Sequence, residues 1–122
     1  MKIVITTERI SIQGQLNNTK TAQEIIKKLP IKSNVQTWGN EIYFSIPVHC
    51  KAENSTMKLK IGDIAYWPAG HCFCIFFGKT PASVDDNPRP ASEVNLIGEV
   101  IGDINILKTI GDGEPITIRQ GD

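Results

Sequence analysis

The chain has no excess of either charge, no long apolar run and almost no histidine. Among its 122 residues, 13 Lys and Arg balance 13 Asp and Glu, and only two are His. No segment concentrates one sign; Lys27-Lys28 and Lys58/Lys60 come nearest and have the spacing of solvated faces. A nucleic-acid-binding chain needs a basic stripe to neutralise phosphates, so no nucleic-acid partner is expected. A polybasic membrane anchor falls by the same argument. No stretch approaches the roughly 20 apolar residues that cross a bilayer. The opening MKIVITTERI reaches Glu8 and Arg9 too soon for a signal-peptide core. Three cysteines, an odd number with no export signal, argue against a disulfide framework. The expectation is a cytoplasmic chain, a single domain over residues 1–122, long enough for one real core and short for two.

What the chain does have is short alternating apolar segments. KIVIT and ISIQGQL (residues 10–16) flank the polar TER and read as a first strand pair. EIYFSIPV sets Ile42, Phe44, Ile46 and Val48 against Tyr43, Ser45, Pro47 and His49. Pro47 has no amide to donate, so that strand should end, or run at an edge, there. IAYWP follows the turn Ile61-Gly62-Asp63, and CFCIFFG is apolar at every position, the mark of a strand covered on both faces. VNLIGEVIG and PITIRQ supply two more strands, the last entered through the turn GDGE (residues 111–114).

Two segments have helical spacing. In TKTAQEIIKKLP, Thr21 and Glu24 have the separation of a capping box, and Ala22, Ile25, Ile26 and Leu29 fall on one face. Pro30 stops the helix. In DINILKTIG, Asp103 is the expected cap, with Ile104, Leu107 and Ile110 inward. Many strands and two short helices imply a mainly β fold: a closed barrel or sandwich with the helices capping its open ends. The connection Lys79–Ser92, with three prolines and the pair Asp85-Asp86, is long enough to suggest a functional, ordered flap.

The run YWPAGHCFCIFFG holds one of the two histidines and two of the three cysteines, and VHC holds the others. Structural zinc takes four nitrogen or sulfur ligands, usually paired as Cys-x2-Cys. Cys72-x-Cys74 has strand spacing instead, which puts both thiols on one face with Phe76, so the expectation is no metal and no cofactor. A nucleophilic thiolate needs a histidine facing it. His49 and Cys50 are adjacent, so on a strand they face opposite ways. GDGEP lacks the spacing of a phosphate-cradling glycine loop.

Taken in order, TWGNEIYFSIPV, IGDIAYWPAG, FFGKTP and RPASEVNLIGEVIGD resemble the small cyclophilin-like proteins of bacteria and archaea. The likeness runs from Trp38 to about Gly113, and it implies a closed cyclophilin-type barrel. Related barrels include peptidyl-prolyl isomerases, whose catalysis centres on an arginine beside the proline nitrogen. Here Arg9 follows a turn, Arg89 sits between two prolines and Arg119 lies near the end, none in the matching strand context. The resemblance therefore implies a binding domain before an enzyme, with isomerase activity as the alternative. Trp38, Glu41, Tyr43, Tyr66, Trp67 and Phe77 fall in the family-like motifs and would wall a cleft for a small molecule or peptide segment. The competing reading makes the tryptophans plugs at a barrel end. Glu41 and Arg89 are the candidates for any catalytic pair, while Asp63 is better placed to close a turn. A homo-oligomer, or a subunit offering a sheet edge to a larger assembly, is compatible with the same pattern.

Overall fold

The computed structural model describes residues 1–121. Nine strands, all antiparallel to their neighbours, form one sheet: β1 (Lys2–Thr6), β2 (Ser11–Leu16), β3 (Ile31–Asn34), β4 (Gln36–Thr37), β5 (Glu41–Ser45), β6 (Asp63–Trp67), β7 (Cys72–Phe76), β8 (Asn95–Ile101) and β9 (Pro115–Gln120). Their spatial order is β3-β9-β1-β2-β8-β6-β7-β5-β4. The sheet curls on itself into a nearly closed barrel. At the seam the Ser33 hydroxyl on β3 donates to the Ser45 carbonyl on β5 at 2.8 Å.

Alternation decides what fills the barrel. Successive strand residues point to opposite faces, and Ile3, Ile5, Ile42, Phe44, Ile64, Tyr66, Phe73 and Ile75 all turn inward. Phe44 and Phe73 stack at 5.2 Å, directly opposite in the β5–β7 register. β7 is buried at all five positions because its other face is covered too. There Cys72, Cys74 and Phe76 join Leu59, Ala65 and Val94 in a second, smaller apolar cluster outside the barrel. The candidate cleft is built on that outer layer. β5 ends at Ser45, two residues before Pro47, as the missing amide requires, yet Ile46 and Val48 continue the buried alternation.

Two strands, β3 and β4, lie where the sequence pattern predicted none. Their segment, IKSNVQT, buries only Ile31 and Val35, with Ser33 between them on the same parity. A serine at the middle inward position erased the apolar signal.

The helices fall where expected, with corrected ends. α1 spans Lys20–Lys28 and its N-cap is Thr19, not Thr21: the Thr19 hydroxyl accepts from the Ala22 amide at 3.2 Å. Glu24 does not close a capping box; it pairs with Lys27 at 3.2 Å. The carboxylate at the helix start comes from Glu53, which accepts from the Lys20 and Thr21 amides and from the Thr21 hydroxyl. Thr21 is itself buried, and its oxygen also accepts from the Asn95 side-chain amide at 3.1 Å. The second helix is a 3-10 helix, Ile104–Thr109, capped by Asp103, whose carboxylate accepts from the Asn105 amide at 3.0 Å. Ile104, Leu107 and Ile110 recur every three residues, which is the 3-10 period. Ala22 and Ile25 from α1, with Leu107 and Ile110, complete the barrel core. No helix among the described residues is long and apolar enough to cross a membrane.

Candidate functional site

The cleft begins at a tight turn. Trp38 and Glu41 exchange both backbone hydrogen bonds, at 2.9 and 3.2 Å, leaving Gly39-Asn40 as a two-residue hairpin loop between β4 and β5. Gly39 has φ +61°, and a glycine with positive φ at the first loop position is what a type II′ hairpin requires. The turn is docked onto the start of the long connection: the Asn40 amide donates to the Lys79 carbonyl at 2.9 Å. A Cβ on Gly39 would lie 2.9 Å from Thr80 Cα and from Pro81 Cδ. The family-like pieces Trp-Gly-Asn and Gly-Lys-Thr-Pro are therefore two halves of one contact.

From that turn, β5 carries Glu41 and Tyr43 on the outer face of the barrel. β7 runs beside it with Cys74 opposite Tyr43, and β6 lies beyond with Trp67 opposite Cys72. Trp38, Glu41, Tyr43, Trp67 and Cys74 line a cleft of about 200 Å³, closed on its remaining side by Pro90, Ala91 and Val94. Tyr43 and Trp67 meet edge to face, centroids 6.4 Å apart and planes at 86°. The Trp67 indole N–H donates to Ser92 Oγ at 2.6 Å, which ties the wall to the end of the long connection. Gly70 lies under that indole; a Cβ there would meet ring carbons at 2.5 Å.

Glu41 is the one carboxyl in that lining. Its side chain is buried, and none of the ion pairs among the described residues includes it. Burial pushes its carboxyl up from 4.5 to about 7, an effect only partly offset by a hydrogen bond with Cys74. Burial likewise holds the Cys74 thiol well above its ordinary value. The site thus presents aromatic walls and one acid poised near neutral pH.

Four of the six residues singled out in the sequence meet here: Trp38, Glu41, Tyr43 and Trp67. Tyr66 and Phe77 do not. Tyr66 is fully buried inside the barrel, its hydroxyl donating to the Val48 carbonyl at 2.7 Å and accepting from the Cys50 amide at 3.1 Å. Neighbours on a strand face opposite ways, so once Trp67 points outward Tyr66 cannot share its cleft. Phe77, just past β7, packs into the main core. The same parity would have found Cys74, which stands on the outer face with Phe76. Pro90, Ala91 and Val94 had no local signal, since only the folded-back connection brings them there.

Arg89 faces elsewhere. It lines a separate depression with Met57, Leu59 and Pro88, so it does not pair with Glu41. The connection holding it is tied together by its own contacts. Thr80 Oγ1 donates to the Arg89 carbonyl, Ser83 Oγ donates to the Asn87 carbonyl at 2.7 Å, and Lys79 pairs with Asp86 at 3.2 Å. Only its far end, Pro90 onward, reaches the cleft. Asp63 closes its turn as anticipated, accepting from the Lys60 amide at 2.8 Å and the Lys60 ammonium at 2.6 Å.

Cys50 lies with the two histidines, while the other two cysteines belong to the outer layer. His49 and His71 pack ring against ring, centroids 4.2 Å apart and planes tilted by 46°, with His71 Nδ1 3.2 Å from the Tyr66 hydroxyl. Cys72 and Cys74 pack in the outer apolar cluster. Among the described residues no group of three or more His, Cys, Asp or Glu is placed to hold a metal ion.

A family model described as cyclophilin-like matches residues 1–119. Among solved structures, the chain is similar to a hypothetical protein of Archaeoglobus fulgidus determined in solution. The two are 39% identical with a TM-score of 0.84, over 99% of this chain and 95% of that one. No curated protein matches.

Proposed function

The chain belongs to the cyclophilin-like family, and because a fold does not fix an activity, we propose from the site that it is a binding domain. Its cleft takes a small molecule or a short peptide side chain between Trp38, Tyr43 and Trp67, with Glu41 as the polar contact. The observation that carries this reading is convergence. Residues between positions 38 and 74, from one turn and three strands, bring the half-buried rings of Trp38, Tyr43 and Trp67 beside a carboxyl that has no ion-pair partner. The volume, about 200 Å³, lies below the roughly 300–1,000 Å³ of drug-sized sites, which limits the guest to a compact group.

A fragment and dipeptide screen by amide-proton NMR tests this. Shifts should cluster on the Trp38 and Trp67 indole N–H signals and on Glu41 and Cys74. Shifts that map elsewhere, or none across a broad screen, would remove the basis of the proposal. The isomerase alternative rests on family fold alone, since among the described residues no arginine lines the cleft. No acceleration is expected in a protease-coupled assay on Ala-Pro peptides at micromolar protein.

A further inference from the structure

We infer that the guest of this cleft is a methylated ammonium group, caged by Trp38, Tyr43 and Trp67 and neutralised by Glu41. The inference rests on the binding reading above and names its ligand class. Three features of the lining select that class against others. The first is the set of rings. Aromatic faces attract cations, tryptophan most strongly, and the perpendicular Tyr43 and Trp67 rings form the corner of a box. The second is charge. The lining holds one carboxyl and no Lys or Arg, so an anionic guest would meet Glu41 with no compensating cation.

The third feature is the scarcity of polar atoms. Apart from Glu41 and the Tyr43 and Trp side chains, the lining is Cys74, Pro90, Ala91 and Val94. A primary ammonium is a strongly hydrated point charge with three donors to satisfy, and this cleft offers too few acceptors for it. Methyl groups replace those donors with apolar surface that suits the walls. The size agrees: about 200 Å³ is the share of liquid volume taken by roughly six or seven waters, room for a headgroup and little more.

The carboxyl gives the site a signature in pH. Glu41, raised by burial to about 7, must be ionised to neutralise a cation, so binding should strengthen as pH rises. For a group titrating near 7 the ionised fraction changes about tenfold between pH 6 and pH 8, and the affinity should follow it.

The test is an NMR titration of the whole protein at pH 6 and pH 8 with choline, its neutral carbon isostere 3,3-dimethylbutan-1-ol, and a trimethyl-lysine peptide. Choline or the peptide should bind about tenfold tighter than the isostere at pH 8, and lose about tenfold at pH 6. The stronger of the two cations identifies the source, free or peptide-borne. Glu41→Gln should abolish the pH dependence, and the wild-type profile carries the same information if that variant fails to fold. Equal or tighter binding of the isostere at the indole signals overturns the cation inference while leaving the binding reading intact. No response to any of the three probes also overturns it, and the broad screen then decides the binding reading separately.

Discussion

Tyr43 and Trp67 touch edge to face across β7, at 6.4 Å and 86°, although they stand on strands that are not neighbours. The contact is open because the residue opposite Tyr43 is a small one, Cys74. Such pairs contribute about 0.5–1.5 kcal/mol beyond the area they bury. A double-mutant cycle with Tyr43→Leu and Trp67→Leu should return a coupling energy in that range by urea unfolding. A coupling near zero would mean that the rings do not hold one another in place.

Glu41 makes stability depend on pH in an unusual direction. A carboxyl whose folded value is raised keeps its proton in the native state while the unfolded chain has lost it. Stability is therefore complete below the unfolded value of 4.5, declines as pH rises, and levels off above about 7. The decline amounts to about 3 kcal/mol. Glu41→Gln should be more stable than wild type by about that amount at pH 8 and little changed at pH 4. Denaturant midpoints at the two pH values decide it, and a variant destabilised equally at both would contradict the assignment.

Asn95 joins three parts of the chain that are distant in sequence. Its buried side chain donates to Thr21 Oγ1 at 3.1 Å and to the Lys51 carbonyl at 3.0 Å, and accepts from the Glu53 amide at 2.9 Å. Asn95→Leu removes one hydrogen bond from each of the three partners, and a group left unpaired away from water costs about 1–3 kcal/mol. A loss of at least about 2 kcal/mol is expected by urea denaturation. The wild-type curve also tests the single-domain expectation, which requires one transition by both tryptophan fluorescence and circular dichroism.

Gly39→Ala meets two obstacles at once. Its φ of +61° is one that L residues rarely adopt, and the new Cβ would press on the backbone of Thr80 at 2.9 Å. The left-handed conformation alone costs about 1–2 kcal/mol, and the contact adds to it. The variant should lose stability and change the Trp38 indole resonance, since Trp38 pairs across the same turn. An unshifted indole signal would show that the turn does not position the cleft.

The thiols should be slow. Burial raises all three cysteines above their ordinary value, Cys74 most of all, while Cys50 is the least enclosed. Timed labelling with an alkylating reagent at pH 8, read by intact mass and peptide mapping, should modify Cys50 first and all three only in denaturant. Rapid modification of Cys74 in the native protein would contradict its enclosure between Glu41 and the aromatic walls.

The local patterns of this chain carried most of the fold. Alternation placed β1, β2 and β5 to β9, the odd apolar density of CFCIFFG marked β7 as covered on both faces, and Asp103 announced its helix. Trp38, Glu41, Tyr43 and Trp67, which line one cleft, stood out in the sequence because they sit in motifs with family-like spacing. The same alternation places Tyr66, beside Trp67, in the barrel interior.

Tertiary structure alone decided the rest. Whether Thr19 or Thr21 caps α1 depended on Glu53, 32 residues after Thr21, reaching the helix start. Arg89 turned away from Glu41 because the hydrogen bonds of its own loop hold it over Met57 and Leu59. That the outer face of β5, β6 and β7 became a cleft followed from Pro90 to Val94 folding back across it. The reason is physical: alternation and capping are properties of neighbouring residues, whereas a cavity is the space left between segments that only the closed sheet brings together.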